Sequence, residues 1–209
     1  MTGTRAIDFG CGTGRSTRFL KRLGFQAIGI DISEDMLGIA RKLDLAGEYQ
    51  VVSNGQYSHL GVGQFDLVLS IFTFDNIPGW DNRSKILAAL RRLLKPSGRL
   101  ILLDSTPELY THEWASFSTK DFPENWKAKT GDIARDIMLD VEDRRPVEDV
   151  FWSDSDYHKL FAKAGLTCKA TYRPLGRDDE PFTWVSETRV APWMIFVLRG
   201  LQRDRAIQK

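Results

Sequence analysis

Along the first hundred residues, short apolar runs alternate with segments whose apolar residues recur at helical spacing. AIDF (6–9) precedes STRFLKRL (16–23), and AIGI (27–30) precedes SEDMLGIARKL (33–43). VV (51–52), the longer run FDLVLSIF (65–72), the helical NRSKILAALRRLL (82–94) and RLILLD (99–104) continue the rhythm. The last helix carries a stripe of Ile86, Leu87, Leu90, Leu93 and Leu94. Boundary residues agree. Gly24 follows the first helix, Ser33 stands as a cap with Glu34 and Asp35 behind it, and Lys95-Pro96-Ser97-Gly98 stops the helix before RLILLD. Five strands by residue 104 predict repeated βαβ units and a parallel sheet covered on both faces.

Residues 105–150 break the pattern, being polar, aromatic-rich and weakly periodic. Within them ARDIMLDV and VEDVFW alternate as a hairpin joined through EDRRP would. SDSDYHKLFAKAG (153–165) then predicts a capped helix closed by Gly165, with Tyr157, Leu160, Phe161 and Ala164 inward. TCKATYRPL (167–175) and PWMIFVLRG (192–200) follow as strands suited to antiparallel pairing. Residues 1–209 therefore read as a single domain, with an insertion at about 105–150 and a loop at 176–191 where substrate recognition is expected.

Composition narrows the partners. The chain has 209 residues, 42% of them hydrophobic, and 29 Lys plus Arg against 28 Asp plus Glu leave a net charge of +1. Such a balance gives no reason to expect nucleic acid. No apolar run approaches the roughly 20 residues of a membrane span, and MTGTRAIDF is no secretory leader, so a cytoplasmic protein is expected. Cys11 and Cys168 stand apart, and His59, His112 and His158 show no ligand spacing, so no metal is expected.

The candidate chemistry begins at AIDFGCGTGRS (6–16), a strand running into a glycine turn and a helix. Gly10, Gly12 and Gly14 follow G-x-G-x-G and lack the third glycine of the dinucleotide pattern G-x-G-x-x-G, Arg15 standing in its place. Asp8, two residues before the first glycine, would repel a pyrophosphate but not a cationic ligand. Asp31, closing the second strand, is placed where an acid can accept from both hydroxyls of a ribose.

With these features, D-F-G-C-G-T-G (8–14), G-I-D-I-S (29–33), F-D-L-V-L-S (65–70) and L-K-P-S-G-R-L (94–100) make the chain resemble the class I S-adenosylmethionine-dependent methyltransferases. The resemblance implies an α/β fold with a Rossmann-like seven-stranded sheet, five strands parallel and the last antiparallel, and helices on both faces. It implies S-adenosylmethionine as cofactor, with Asp8, Gly10, Cys11, Gly12 and Gly14 beside its methionine part. Asp31 would hold the ribose, Ile32 and Met36 would flank the adenine with Asn54, Gly55, Gln56 and Tyr57, and Ser70 and Phe72 would close the site. Relatives often carry an Asp in the loop after strand three, where this chain reads SNGQYS, so Asn54 or Gln56 would have to replace it. Relatives also place one or more helices before the first strand, where five residues stand here. A late start of the chain or another covering element, such as a homodimer partner, is expected to account for that.

Methyl transfer needs alignment and water exclusion more than a dedicated catalytic group, but a hydroxyl or ammonium acceptor needs a base. In an open α/β sheet the site lies beyond the carboxyl ends of the strands, here after Ser70 and Asp104. The expected catalytic candidates are His112, with Glu113 to orient it, and Asp75. Asn76, Tyr110, Trp114 and Trp152 are the expected contacts to a small-molecule acceptor, and Glu187 and Arg189 could reach over the same cleft. Methylation of a small molecule is the leading reading, with O- or N-methylation favoured and C-methylation left open. The alternatives are an S-adenosylmethionine-binding module without turnover, regulatory or assembling, and a nicotinamide-dependent oxidoreductase, which the glycine spacing and Asp8 disfavour.

Overall fold

A computed structural model describes residues 4–53 and 55–201. The main sheet has seven strands in the order β3-β2-β1-β4-β5-β10-β9. Its five consecutive parallel strands are β1 (Arg5–Phe9), β2 (Gln26–Asp31), β3 (Glu48–Val51), β4 (Phe65–Ile71) and β5 (Leu94–Ser105). β9 (Leu166–Tyr172) runs with them, and only β10 (Trp193–Gly200), inserted between β5 and β9, is reversed. Six strands are thus parallel rather than five, because the reversed strand lies one place in from the edge.

Helices α1 (Arg15–Arg22), α2 (Glu34–Leu43), α3 (Trp80–Leu93) and α4 (Asp154–Lys163) flank the sheet. Ile86, Leu87, Leu90 and Leu93 of α3 and Tyr157, Leu160 and Phe161 of α4 pack in one core with Ile7, Ile30, Val68, Leu100 and Leu102 of the strands. Leu20 of α1 packs with Ala6, Ala27, Leu67 and Leu69 in a second, smaller cluster. Ser33 caps α2, its Oγ accepting from Met36 N at 3.3 Å, and Ser153 caps α4 in the same way from Asp156 N. β3 starts three residues before the VV of the sequence reading. As an edge strand it needs only Tyr49 buried and leaves Val51 exposed, so its apolar signal is faint.

The insertion builds a second sheet of three strands, with β7 (Ile133–Met138) between β6 (Phe117–Ser118) and β8 (Val147–Val150). β7 and β8 are the expected hairpin. Under it Leu109, Tyr110, Trp114 and Ala134 form a small core of their own. Loop 176–191 is pinned to the insertion by the buried Glu187, which accepts from Ala115 N at 2.7 Å and Val185 N at 2.8 Å. Arg83, buried on α3, joins the halves: it donates to Ile77 O at 2.5 Å, to Tyr157 Oη at 3.3 Å and to Val150 O at 3.4 Å, with its guanidinium 4.2 Å from the Trp152 ring centroid.

Candidate active site

Two cavities open at the carboxyl ends of β1, β2, β4 and β5. The first, of about 530 Å³, is floored by Gly10 and Gly12 and walled by Asp31, Ile32, Met36, Val52 and Tyr57, with Phe72, Thr73 and Asn76 opposite. The glycine turn is nailed to β2. Gly10 N and Cys11 N donate to Ile30 O at 2.8 and 3.1 Å, and Gly12 N donates to Asp31 Oδ2 at 2.8 Å. Asp31 Oδ1 accepts from Ser33 N at 2.9 Å, so the carboxylate is oriented by backbone while each oxygen keeps a lone pair for a ligand. Three consecutive N–H groups already spent on β2 leave a poor cradle for a pyrophosphate, which binds through free backbone N–H groups.

Two glycines here have separate reasons. Gly10 has φ 69, and a Cβ on it would fall 2.3 Å from Thr73 Oγ1, whose hydroxyl donates to Phe9 O. Gly12 has φ 51 and nothing within 4 Å of where a Cβ would stand, so it presents bare backbone to the cavity. An oriented acid, bare glycines and the apolar faces of Ile32, Met36, Val52 and Tyr57 fit the ribose, the methionine arm and the flat base of S-adenosylmethionine.

Other residues expected at the cofactor fall elsewhere. Asp8 is 1% exposed and faces α1, where its Oδ2 accepts from Ser16 Oγ at 2.7 Å and Thr17 Oγ1 at 2.6 Å. Burial raises its pKa, with Asp31 adding to the effect against the two hydroxyl donors. Cys11 packs behind the turn against Leu37, Ala40 and Tyr49, its thiol pushed up to about 12 by burial. Gly14 precedes α1 and backs onto Tyr49 rather than the cavity. Ser70 lies fully buried opposite Phe9 in the sheet. Gly55 and Gln56 are exposed and line neither cavity, and Asn54 lies outside the described residues.

The second cavity, of about 590 Å³, lies between the main sheet and the insertion and shares Phe72 and Asn76 with the first. Asp75, Asp136 and Asp149 line it, with Phe117 and Trp193 beside them and the exposed Arg15 and Asp140 also on its wall. Asp75 is 4% exposed, and its Oδ2 accepts from Ser105 Oγ at 2.9 Å and Ser105 N at 3.2 Å. Burial, then the charge of Asp149, raise its carboxyl to about 7, against Ser105 and Arg83. Burial also raises Asp136 to about 7, with Asp149 and Asp75 adding to it. Asp149 is raised by burial and held in place by Tyr110 Oη, which donates to its Oδ2 at 3.1 Å. Phe72 is the only non-glycine residue with positive φ among the described residues, at 53°.

The expected acceptor contacts are displaced likewise. His112 lines neither cavity. Its Nδ1 lies 3.1 Å from both Thr111 Oγ1 and Glu108 O, and its ring packs near Trp114 and Trp126. Glu113 does not orient it, since that carboxylate accepts from Ser118 Oγ and Thr119 N. Trp114 donates to Leu109 O inside the insertion's core, and Trp152 is buried between Trp80, Arg83 and Tyr157. Tyr110 acts behind the cavity wall through Asp149. The Arg189 guanidinium donates to Val185 O of its own loop, and no helix among the described residues is long and apolar enough to cross a membrane.

Sequence reasoning missed Thr73 and Trp193 and, above all, Asp136 and Asp149. The hairpin register sets Asp136 opposite Val147 and Ala134 opposite Asp149, which puts both acids on one face as diagonal neighbours. Their signal was an acid in step with the buried Ala134 on an alternating strand.

The fold and the oriented acid beyond β2 define a class: the comparisons support a class I S-adenosylmethionine-dependent methyltransferase. Residues 7–102 match the family described as Methyltransferase domain. Among curated relatives, the chain is 35% identical over 164 residues to a ubiquinone biosynthesis O-methyltransferase of Methylococcus capsulatus, covering 68% of this chain and 65% of that one. The enzyme of the same name from Nitrosococcus oceani is 32% identical over 116 residues, covering 53% of this chain and 48% of that one. The aligned part thus spans between about half and two thirds of these relatives. A solved S-adenosylmethionine-dependent methyltransferase of Methanosarcina mazei shares the fold with a TM-score of 0.68 at 16% identity, covering 97% of this chain and 95% of that one. A Pyrococcus horikoshii protein does so with a TM-score of 0.67 at 20% identity, covering 96% and 84%.

Proposed function

We propose that the protein transfers a methyl group from S-adenosylmethionine in the first cavity to an oxygen or nitrogen of a small molecule in the second. The observation that carries this reading is that Phe72 and Asn76 line both cavities, so that the two ligand sites are neighbours across the same side chains. The bound cofactor supplies an electrophilic methyl on a sulfonium, a leaving group that needs no acid. The chain's own share is to orient and to dry the site. Asp31 anchors one ligand, the rings of Phe72, Phe117 and Trp193 exclude water from the junction, and the insertion at 105–150 contributes the wall that selects the acceptor. Asp75 and Asp136, with carboxyls at about 7, are the cavity groups suited to take a proton from an O–H or N–H group at neutral pH. The names of the ubiquinone-biosynthesis relatives support a small-molecule acceptor.

The test is S-adenosylhomocysteine formation from S-adenosylmethionine with a panel of hydroxyl and amine acceptors. Product that requires an acceptor and falls in Asp75→Asn is the expected result. Tight cofactor binding with no turnover across the panel would favour a binding module instead.

A further inference from the structure

The buried ionisable groups on the second cavity's wall are all acids, its one cation, Arg15, being exposed. Asp75 comes from the turn after β4, Asp136 from β7 and Asp149 from β8, and each is less than a tenth exposed. Asp75 and Asp149 have hydrogen-bond donors from the protein, namely Ser105 and Tyr110. Asp136 has none. It is 2% exposed, its Oδ1 is buried with no partner, and the residue lines the cavity. A buried carboxylate without a donor is costly unless a ligand supplies what the protein lacks. The other charged and titratable groups around the three acids do not supply it. Arg83 is committed to Ile77 O, Val150 O and Tyr157; Asp104 is raised well above the ordinary carboxyl value by burial and accepts from Tyr157 Oη, Asp140 is a further acid, and Arg15 is exposed. Among the described residues no His, Cys, Asp and Glu group is arranged to hold a metal ion.

An aromatic cluster lines the same cavity. Trp193 packs edge-on against Phe72 at 4.8 Å and against Phe117 at 5.4 Å between ring centroids, and all three line the cavity. Carboxylates and aromatic rings in one cavity are what an ammonium group selects, whereas a phenolate or carboxylate would meet like charge. We propose that the second cavity takes an amine, held as its ammonium by Asp75, Asp136 and Asp149 against Phe72, Phe117 and Trp193, and that Asp136 accepts its proton. This rests on the methyl-transfer reading above and narrows it to nitrogen. In the balanced step the ammonium first gives one proton to the Asp136 carboxylate, leaving a neutral amine. The nitrogen lone pair then forms the N–C bond to the methyl as the C–S bond breaks. That bonding pair stays on sulfur, giving S-adenosylhomocysteine and a methylated ammonium.

The test uses protein loaded with S-adenosylhomocysteine and three probes of similar shape, benzylamine, benzyl alcohol and benzoate, titrated calorimetrically at neutral pH. Benzylamine is expected to bind about ten-fold or more tightly than the other two, and Asp136→Asn to weaken it by about ten-fold while S-adenosylhomocysteine affinity is unchanged. Asp136→Asn removes an unpaired charge, so its melting temperature should not fall, which separates lost recognition from misfolding. Benzoate or benzyl alcohol binding as well as benzylamine, no benzylamine binding, or an indifferent Asp136→Asn would overturn the amine proposal. Failure of S-adenosylhomocysteine to bind at all would instead overturn the methyl-transfer reading beneath it.

Discussion

Phe72 and Trp193 meet edge to face, ring centroids 4.8 Å apart, Phe72 lining both cavities and Trp193 the second. Phe72 holds that position at φ 53, a backbone region that costs a bulky residue of order 1–3 kcal/mol. Its N–H is tied to Leu103 O at 2.8 Å, so the turn after β4 fixes the strain. Phe72→Gly should therefore be more stable than Phe72→Ala by about 1 kcal/mol in chemical denaturation, since only glycine is relaxed there. Both variants should lose methyl-transfer rate, as the ring that dries the junction is gone. Equal stability of the two would show that the backbone is not strained.

Asp31 serves the turn and the ligand together. Asp31→Ala should weaken S-adenosylmethionine by about ten-fold or more, roughly 1.5 to 3 kcal/mol for lost charge-assisted bonds, and should also lower the melting temperature because Gly12 N and Ser33 N lose their acceptor. Asp31→Asn keeps one carbonyl oxygen and should fall between the two proteins in both measurements. Wild-type affinity in the alanine variant would show that the ligand does not use this acid.

His112 faces neither cavity, so His112→Ala should leave the methyl-transfer rate within about two-fold, where loss of a general base would cost ~10²–10⁴-fold. A steady-state rate in that lower range would return the histidine to the chemistry.

Asp75 and Asp136 make stability depend on pH in an unusual sense. Their folded carboxyls lie at about 7, above the ordinary value of 3.8. The folded state binds these protons more tightly, so their contribution is fully present below about pH 4 and is lost as pH rises through 7. Ion-paired acids such as Asp44 and Asp66, lowered by Lys21 and Lys95, act oppositely and weaken the fold as pH falls below about 4. Melting curves of the wild type and Asp136→Asn should nearly coincide near pH 4, with the variant's advantage growing up to about pH 7. A constant offset across that range would contradict the buried, unpaired state of Asp136.

The first hundred residues were legible because their local and long-range signals agree. The apolar run of β1, the glycine turn and the Ser33 cap each place Asp31 where the structure has it. The acceptor side was harder to read. His112 and Glu113 are neighbours in sequence, but the Glu113 side chain is drawn to Ser118 and Thr119 by the turn into β6, and adjacency suggested a dyad that the chain does not form. Alternation in ARDIMLDV revealed the strand but not which face turns inward, since Asp136 on the inner face breaks the usual apolar-in rule. The aromatics misled for a related reason: Trp114 and Trp152 are large enough to be core first, and they fill two separate cores.

The central claim is that the cleft between the glycine turn and Asp31 is built for S-adenosylmethionine. Calorimetric titration of the wild-type protein with S-adenosylmethionine, S-adenosylhomocysteine and NAD tests it most directly. The account predicts binding of the first two to one common site, each displacing the other, with no heat from NAD. NAD binding without S-adenosylmethionine binding would contradict it.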